Sequence, residues 1–333
     1  MMLLGWLFCA FFTVQGAPER SQHQVQTADG ATLRLHRLNS NGAPILLVHG
    51  LSSNHHSFDL DGRGLAHDLR EAGYDVWMLD LRGRKDSHPP RRRPEWTLDD
   101  YGRQDLRAAV EWIRTATGHP RVAYVGHSMG GLALAIYHHW YGNDSLGPCV
   151  VLGSPLTFTH PDPLLLASAR SMRMSRWMRR VPSRAAAASA SVWPQTPRVD
   201  ALLFDAEGTT RSTRRAMYRT IVSPMWSGEL NHLGQSVQAG RLWSSDGSID
   251  YVASLRDWTP PLLVVAGRTD RIAPPDRVVA WMDATGGNDH TWWVAGTAQG
   301  YSHDFGHLDL ILADAVSSTL HADLVGWLDE RPW

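Results

Sequence analysis

The sequence predicts an α/β fold in which helices cover both faces of a mostly parallel central sheet that carries an inserted, mainly helical cap. Short apolar runs bounded by turn-forming residues alternate with stretches of helical periodicity along most of the chain. Most of these runs are apolar at successive positions, as in parallel strands that are buried on both faces. The alternation stops between about residue 156 and residue 257 and then resumes, which indicates an insertion. The 333 residues fit one large α/β unit.

The first elements begin near residue 30. A half-buried strand is predicted for ATLRLHRL, and fully buried strands are predicted for PILLVHG and YDVWMLDL, with a helix over GLAHDLREAG between the last two. The stretch at residues 82–96, RGRKDSHPPRRRPEW, is too polar and too often interrupted by proline to be expected in the core. Thr97 then precedes acidic residues and apolar residues at helical spacing, so we expect it to cap a long helix.

The later elements continue the same alternation. Strands are predicted for RVAYVGHS, PCVVLGSP, PPLLVVAG (residues 260–267) and HTWWVAG (residues 290–296). Helices are predicted for MGGLALAIYHHWYG, near residues 276–285 and from about residue 307 onwards. The predicted core therefore comprises residues 25–155 and 258–333, and the predicted cap comprises residues 156–257.

The predicted cap contains an amphipathic helix in SARSMRMSRWMRRVPSR. Its apolar face (Met174, Trp177, Met178, Val181) is expected to pack on the body while its arginines (Arg173, Arg176, Arg180, Arg184) face water. The alternative is that this cap surface also touches an anionic membrane. Five large apolar residues could form the core of the cap, which we favour, or the walls of an acyl pocket: Trp193, Phe204, Trp226, Leu230 and Trp243.

The N-terminal segment has an apolar run of about thirteen residues, too short to span a bilayer comfortably. Its length and the small residues Gly16 and Ala17 predict a signal peptide over residues 1–17, although no basic residue precedes the run. Secretion or membrane association is therefore favoured over a cytoplasmic location. The alternative is an uncleaved apolar segment that packs on the domain or enters a membrane.

Charge and cysteine content narrow the range of partners. The formal net charge of -1 gives no indication of nucleic acid as a partner, so a small neutral or amphipathic ligand is expected. The two cysteines, Cys9 and Cys149, form neither a disulfide framework nor a zinc spacing. We expect no cofactor and no metal. Nothing in the sequence indicates the oligomeric state.

The main chemical motif is GHSMGG, Gly126 to Gly131, which lies between an apolar strand and a helical stretch. It matches the G-x-S-x-G pattern of a nucleophile elbow, a turn so sharp that minimal side chains are needed two positions before and after the serine. Gly126 and Gly130 meet that need, and Ser128 stands at the apex. A serine hydroxyl is a poor nucleophile, so it needs a base and an acid that orients the base.

Candidates for the acid and the base follow in the order serine, acid, histidine. Asp270 comes just after a predicted strand, at the carboxyl edge where open α/β sheets bind ligands. The segment YSHDFGHLDLIL offers His307, which we favour as the base, and His303 as the alternative. A metal pair formed by these two histidines is disfavoured because Gly306 lies between them and a helix that starts at residue 307 gives them no shared face. Asp309 is expected to favour that helix N-terminus electrostatically.

Backbone amides are candidates for stabilising the oxyanion of the tetrahedral intermediate. Met129, which follows the nucleophile at a helix start, supplies one amide. We assign the second to Leu51, which follows Gly50 in the loop after PILLVHG. His49 is expected to brace that loop rather than to act in catalysis.

Together these motifs resemble the α/β-hydrolase superfamily, and among its esterases and lipases they are most similar to the acid (gastric or lysosomal type) lipase branch. The resemblance rests on LLVHGLSSN, WTLDDYGRQDL, YVGHSMGG, VVAGRTDRIAPP and DFGHLDLI. It implies an α/β-hydrolase fold, Ser128 as nucleophile, Asp270 as acid and His307 as base, with the Leu51 and Met129 amides as the oxyanion hole. Met129 departs from this branch, which usually has Gln there.

The resemblance implies a serine hydrolase that cleaves carboxylic esters, with a small apolar or amphipathic ester as its substrate. A thioesterase, an amidase or peptidase, or an acyltransferase would use the same residues, because fold and triad do not determine the leaving group. An alternative of another class is a binding protein that kept the fold and holds an apolar ligand without cleaving it.

Overall fold

A computed structural model describes residues 20–91, 95–159, 179–181, 183–184, 187, 197–205 and 207–333. The signal peptide predicted over residues 1–17, most of the predicted amphipathic helix of the cap, and Trp193 lie outside the described residues.

An eight-stranded sheet forms the centre of the fold, with strand order β1-β2-β4-β3-β5-β6-β9-β10. Its strands are β1 (Arg20–Gln26), β2 (Thr32–Leu38), β3 (Pro44–Val48), β4 (Asp75–Asp80), β5 (Val122–His127), β6 (Leu146–Leu152), β9 (Leu262–Gly267) and β10 (His290–Ala295). The pairs β1–β2 and β2–β4 are antiparallel, and the other neighbouring pairs are parallel. The predicted mostly parallel sheet is therefore confirmed.

Both faces of the sheet are buried. All five residues of β3 are buried, and they alternate between two core clusters: Leu46 and Val48 pack on one face of the sheet, Ile45 and Leu47 on the other. This alternation explains why the strand reads as a continuous apolar run in the sequence.

β1 was not predicted. Its sequence, RSQHQVQ, is polar, and Val25 is its only buried residue. It pairs with β2 over its whole length at the edge of the sheet, where one partner strand and one apolar contact suffice. Its formation depends on backbone pairing rather than on a hydrophobic pattern.

The helices of the body cover the sheet. They are α1 (Leu65–Glu71), α2 (Leu98–Asp100), a π-helical segment (Tyr101–Leu106), α3 (Arg107–Thr117), α4 (Met129–Tyr141), α8 (Pro275–Val278), α9 (Ala280–Ala284), α10 (Asp309–Leu312) and α11 (Leu320–Asp329), with 3₁₀ turns at His55–Ser57, Ala253–Asp257 and Thr297–Gln299. Thr97 caps α2 as predicted, in a capping box with Asp100.

The helix predicted from about residue 307 is instead two helices. α10 begins at Asp309 and has four residues, and α11 follows after a turn. His307 is therefore in a turn ahead of α10 rather than at its first position. The prediction was wrong because buried apolar residues in both segments read as one period, whereas Ala313 leaves the helical conformation.

The inserted region lies between β6 and β9. It contains the helices α5 (Pro197–Leu203), α6 (Arg211–Thr220) and α7 (Ser227–Ala239), and a ribbon of β7 (Arg180–Val181) with β8 (Met225–Trp226). Phe204 and Leu230 are buried in it, whereas Trp226 and Trp243 are partly exposed.

The stretch at residues 82–96 was expected outside the core, which is correct for exposed side chains such as Lys85 and Asp86 but wrong for Arg82 and Arg84. Arg82 is 1% exposed and Arg84 is fully buried. Arg82 pairs with Asp105 at 2.8 Å, and Arg84 pairs with Glu229 of α7 at 2.5 Å. Because each guanidinium has a buried carboxylate partner, the ion pair offsets the free-energy cost of burying the charge. The ion pair between Arg84 and Glu229 links the inserted region to the rest of the domain.

No helix among the described residues is both long and apolar enough to cross a membrane.

Candidate active site

Ser128 lies at the junction of β5 and α4. Its backbone has φ 54° and ψ -117°, a region that non-glycine residues rarely adopt. The turn holds this conformation because the Ser128 amide donates to the Leu152 carbonyl at the end of β6, at 2.8 Å. Strain retained at one residue and supported by its surroundings is common where a side chain must project for function.

The glycines around Ser128 are required by close backbone approach. A Cβ on Gly130 would lie 2.2 Å from the Val48 carbonyl oxygen, and a Cβ on Gly126 would lie 2.7 Å from the carbonyl carbon of Gly130. The first turn of α4 therefore packs directly on the end of β3. Any larger residue would force the elbow away from the sheet.

Asp270 lies in the loop after β9 and is 2% exposed. Its Oδ1 accepts hydrogen bonds from the amides of Ile272 and Ala273, both at 2.8 Å. Its Oδ2 lies 2.7 Å from His307 Nδ1. Because the carboxylate can only accept, the Nδ1 proton of His307 points at it, and Nε2 is left with the lone pair that a general base needs.

His307 is 4% exposed and is held by its backbone as well as its ring. His127 Nε2 donates to the His307 carbonyl at 3.0 Å, and the two rings are 4.8 Å apart. A Cβ on Gly153 would lie 3.3 Å from His307 Nδ1. Since Leu152 binds the Ser128 amide, His307 and Ser128 both adjoin the end of β6.

Within the described residues, Ser128 Oγ makes no direct hydrogen bond to His307. Such catalytic hydrogen bonds are often long without substrate and tighten in the complex.

His303, the alternative base, is oriented differently. Its Nδ1 is 3.0 Å from Ser302 Oγ, and its ring stacks on Phe305. It makes no hydrogen bond to Asp270 among the described residues. The structure therefore brings Asp270 together with His307 and not with His303.

The two candidate oxyanion donors flank Ser128. Within the described residues, the amides of Leu51 and Met129 have no hydrogen-bond acceptor. A Cβ on Gly50 would come within 3.1 Å of Ser128 Cβ, so the loop carrying Leu51 lies against the nucleophile.

His49 and His127 are neutral supports of this site. Burial lowers the pKa of His49 to about 4 and that of His127 to about 3. His49 Nδ1 donates to the Gly50 carbonyl at 2.8 Å, and its Nε2 accepts from the Leu81 amide. His49 thus braces the loop, as the sequence predicts. His127 was not assigned a role from the sequence, although it occupies the variable position of the elbow motif just before Ser128.

A buried cluster of His36, His55 and Asp80 was also not identified from the sequence. Its donor atoms lie within 4.8 Å of one another. Both imidazoles bond to the same carboxylate oxygen, Asp80 Oδ2, at 3.0 and 2.9 Å. Asp80 Oδ1 also accepts from the His55 amide, so the carboxylate links β2 to the 3₁₀ turn at His55–Ser57.

Comparisons with known proteins identify the fold family of the chain. The model of the alpha/beta hydrolase fold family matches residues 43–306. Lipase 1 of Drosophila melanogaster is 35% identical over 122 residues, 34% of this chain and 28% of that protein. Human gastric triacylglycerol lipase is 32% identical over 136 residues, 35% of this chain and 34% of that protein. The matched segments thus span about a third of these relatives.

Solved structures share the whole fold. An esterase from Thermogutta terrifontis has a TM-score of 0.66 at 19% identity, covering 93% of this chain and 98% of that one. An esterase from Exiguobacterium antarcticum has a TM-score of 0.62 at 17% identity, covering 93% and 100%. At such identities the likeness shows the fold alone.

Proposed function

The chain belongs to the α/β-hydrolase fold family, and from that premise we propose that it is a serine hydrolase that cleaves carboxylic esters. Ser128 is the nucleophile, His307 the general base and Asp270 the acid that orients it. The observation that carries the proposal is the 2.7 Å contact between Asp270 Oδ2 and His307 Nδ1, beside a serine held at positive φ in an elbow. The lipase relatives support the ester class.

In the first half of the reaction, Ser128 Oγ attacks the acyl carbon while His307 Nε2 takes the hydroxyl proton. A tetrahedral intermediate forms, and its oxygen accepts from the Leu51 and Met129 amides. As the ester C–O bond breaks, His307 returns the proton to the departing alcohol and the acyl group remains on Ser128.

In the second half, His307 takes a proton from a water molecule, which attacks the acyl carbon. A second tetrahedral intermediate collapses, the acid leaves, and the proton returns to Ser128 Oγ. Asp270 stays ionised throughout and stabilises the imidazolium that forms twice per cycle. The sequence of steps needs no cofactor.

The proposed substrate is a small apolar or amphipathic ester, as the lipase relatives suggest. The cap over residues 156–257 is proposed to cover the acyl group, and residues 25–155 and 258–333 form the catalytic core. Phe204 is buried in a cluster that includes Phe305 and Leu310 of the body, so we propose the partly exposed Trp226 and Trp243 as candidates for contacting an acyl chain.

The test is hydrolysis of p-nitrophenyl esters from acetyl to palmitoyl by the full chain, with Ser128→Ala as the control. We expect turnover that rises beyond acetyl and is lost in the control. Absence of hydrolysis by the wild-type chain, or its full retention in the control, would reject the proposal. A larger kcat/KM for matched thioesters or anilides would reassign the leaving group, and a preference confined to acetyl would reject the apolar-acyl assignment.

A further inference from the structure

The carboxylate of Asp309, two residues after the proposed base, is fully buried and joins two separate parts of the chain. Its Oδ2 accepts from the Gly306 amide at 2.8 Å and from the Asp205 amide at 2.5 Å. Its Oδ1 accepts from Thr209 Oγ1 at 2.5 Å. The hydrogen bond from Gly306 therefore closes the turn around His307. The other two hydrogen bonds are donated by residues of the cap, about a hundred residues earlier in the chain.

The cap segment that contains Asp205 and Thr209 also contacts the residues directly before and after His307. We call residues 203–205 and 207–209 the cap brace. The Leu308 amide donates to the Leu203 carbonyl at 2.8 Å. A Cβ on Gly306 would lie 2.7 Å from the Asp205 amide nitrogen, so the cap brace packs on the glycine directly. The peptides before and after His307 are thus both attached to the cap brace.

The cap brace also reaches the acid. Thr269 Oγ1, next to Asp270, donates to Asp205 Oδ2 at 3.1 Å. The Thr269 amide donates to the Phe305 carbonyl at 3.1 Å. Asp205 therefore contacts both loops that supply the proposed acid and base. A displacement of this segment would change their mutual orientation.

We infer that Asp309 is a positioning residue that couples the cap brace to the catalytic base. The inference rests on the proposed function, but it makes a separate claim: the cap brace does not open as a free lid, because it holds the imidazole of His307 against Asp270. Without the Asp309 carboxylate, the Gly306 amide loses the hydrogen-bond acceptor that closes the turn at residues 306–308. The cap brace loses its two hydrogen bonds to the same carboxylate. His307 then samples orientations in which Nε2 is not directed at the nucleophile.

The matched pair of variants is Asp309→Asn and Asp314→Asn. Asp314 also receives cap donors, the Thr210 amide at 2.6 Å and Thr213 Oγ1 at 2.7 Å, but it is exposed and makes no bond to Gly306. Asparagine at 309 keeps the size of the side chain and replaces one acceptor oxygen by a donor, which faces amides that also donate.

For kinetics, the folded fraction of each variant is measured first by circular dichroism and a thermal melt, so that kcat refers to folded enzyme. We expect Asp309→Asn to lower kcat about 10- to 100-fold, with KM within about twofold. Thr209→Val should lower kcat less, and the double variant should be no worse than Asp309→Asn alone. Asp314→Asn should leave kcat unchanged. Equal loss of kcat in both Asn variants, or none in either, would overturn the inference.

A second readout does not depend on turnover. The Nδ1 proton of His307 should give a far-downfield proton NMR signal that disappears in His307→Ala. We expect this signal to broaden or vanish in Asp309→Asn and to persist in Asp314→Asn. Persistence in both variants would overturn the coupling even if the wild-type chain hydrolyses esters, and loss in Asp309→Asn alone would support it even if the ester proposal failed.

Discussion

The elbow and the loop that carries His307 are positioned in contrasting ways. Ser128 is fixed by a turn between β5 and α4 that packs on the neighbouring strands β3 and β6. His307 is fixed by groups far away in the chain: its partners Asp270 and His127 are 37 and 180 residues distant, and Asp309 reaches 104 residues to Asp205. The nucleophile thus depends on contacts within the core, and the base depends on contacts that also include the cap.

The largest effect should come from the base itself. His307→Ala removes the only imidazole bonded to Asp270 among the described residues, and we expect kcat to fall by about 10⁴- to 10⁶-fold. His303→Ala is the control, and it should change kcat less than about threefold because His303 does not share the acid. Rates on p-nitrophenyl butyrate measure both. Retained activity in His307→Ala would mean that the base is another residue.

Asp270→Asn should lower kcat by about 10⁴-fold with little loss of stability. An asparagine carbonyl can still accept from the amides of Ile272 and Ala273, but its NH₂ then faces His307 Nδ1 and selects the tautomer with the proton on Nε2. Steady-state kinetics and a thermal melt separate the two effects. A loss of kcat that merely parallels unfolding would argue for a structural role.

The elbow can be broken without touching a catalytic side chain. Gly130→Ala puts a Cβ 2.2 Å from the Val48 carbonyl oxygen, so the turn must move. We expect about 10²- to 10³-fold lower kcat, as for loss of an oxyanion donor, and a lower Tm. Gly326→Ala in α11 is the matched control, since its Cβ would meet nothing within 4 Å. It should leave kcat unchanged and stabilise the chain by about 0.5–1 kcal/mol. Equal kcat in both variants would show that the elbow tolerates a side chain.

The smallest effect concerns His127, where the two regions meet. His127→Phe keeps a ring beside His307 but removes the hydrogen bond to the His307 carbonyl. We expect the variant to lose about 1–3 kcal/mol of stability and kcat to fall about tenfold.

The stability loss in His127→Phe should depend on pH. Burial lowers the pKa of His127 from 6.5 to about 3 in the folded chain. As the pH falls from about 6.5 towards 3, His127 takes up a proton in the unfolded wild-type chain but not in the folded chain, so the wild type loses stability. The Phe variant has no imidazole at this position and does not lose stability for this reason. The difference in Tm between them should narrow from pH 7 to pH 4. A constant difference would contradict the neutral, buried state of His127.

The same contrast explains what the sequence could predict. The strands over Pro44–Val48 and Leu262–Gly267 were predictable because burial on both faces leaves a continuous apolar run. The elbow was predictable because the glycines and the serine that mark it lie within five residues of the sequence. The loop positions of Asp270 and His307 followed from chain order and strand ends.

Other features depend on contacts that no local pattern records. Arg82 and Arg84 are buried because Asp105 and Glu229 meet them, although a basic, proline-rich stretch is normally exposed. Gly306 is needed because the cap brace packs directly against it. Asp309 lies in the first turn of α10, as expected, and it also accepts hydrogen bonds from the cap, which the sequence did not indicate.

The most direct test of the central claim is covalent labelling of the folded chain with a fluorophosphonate, followed by peptide mass mapping. The account predicts one adduct, on Ser128, that forms rapidly in the wild type, much more slowly in His307→Ala, and at the wild-type rate in His303→Ala. Folded protein that stays unlabelled at Ser128, or that is labelled at another serine, would contradict it.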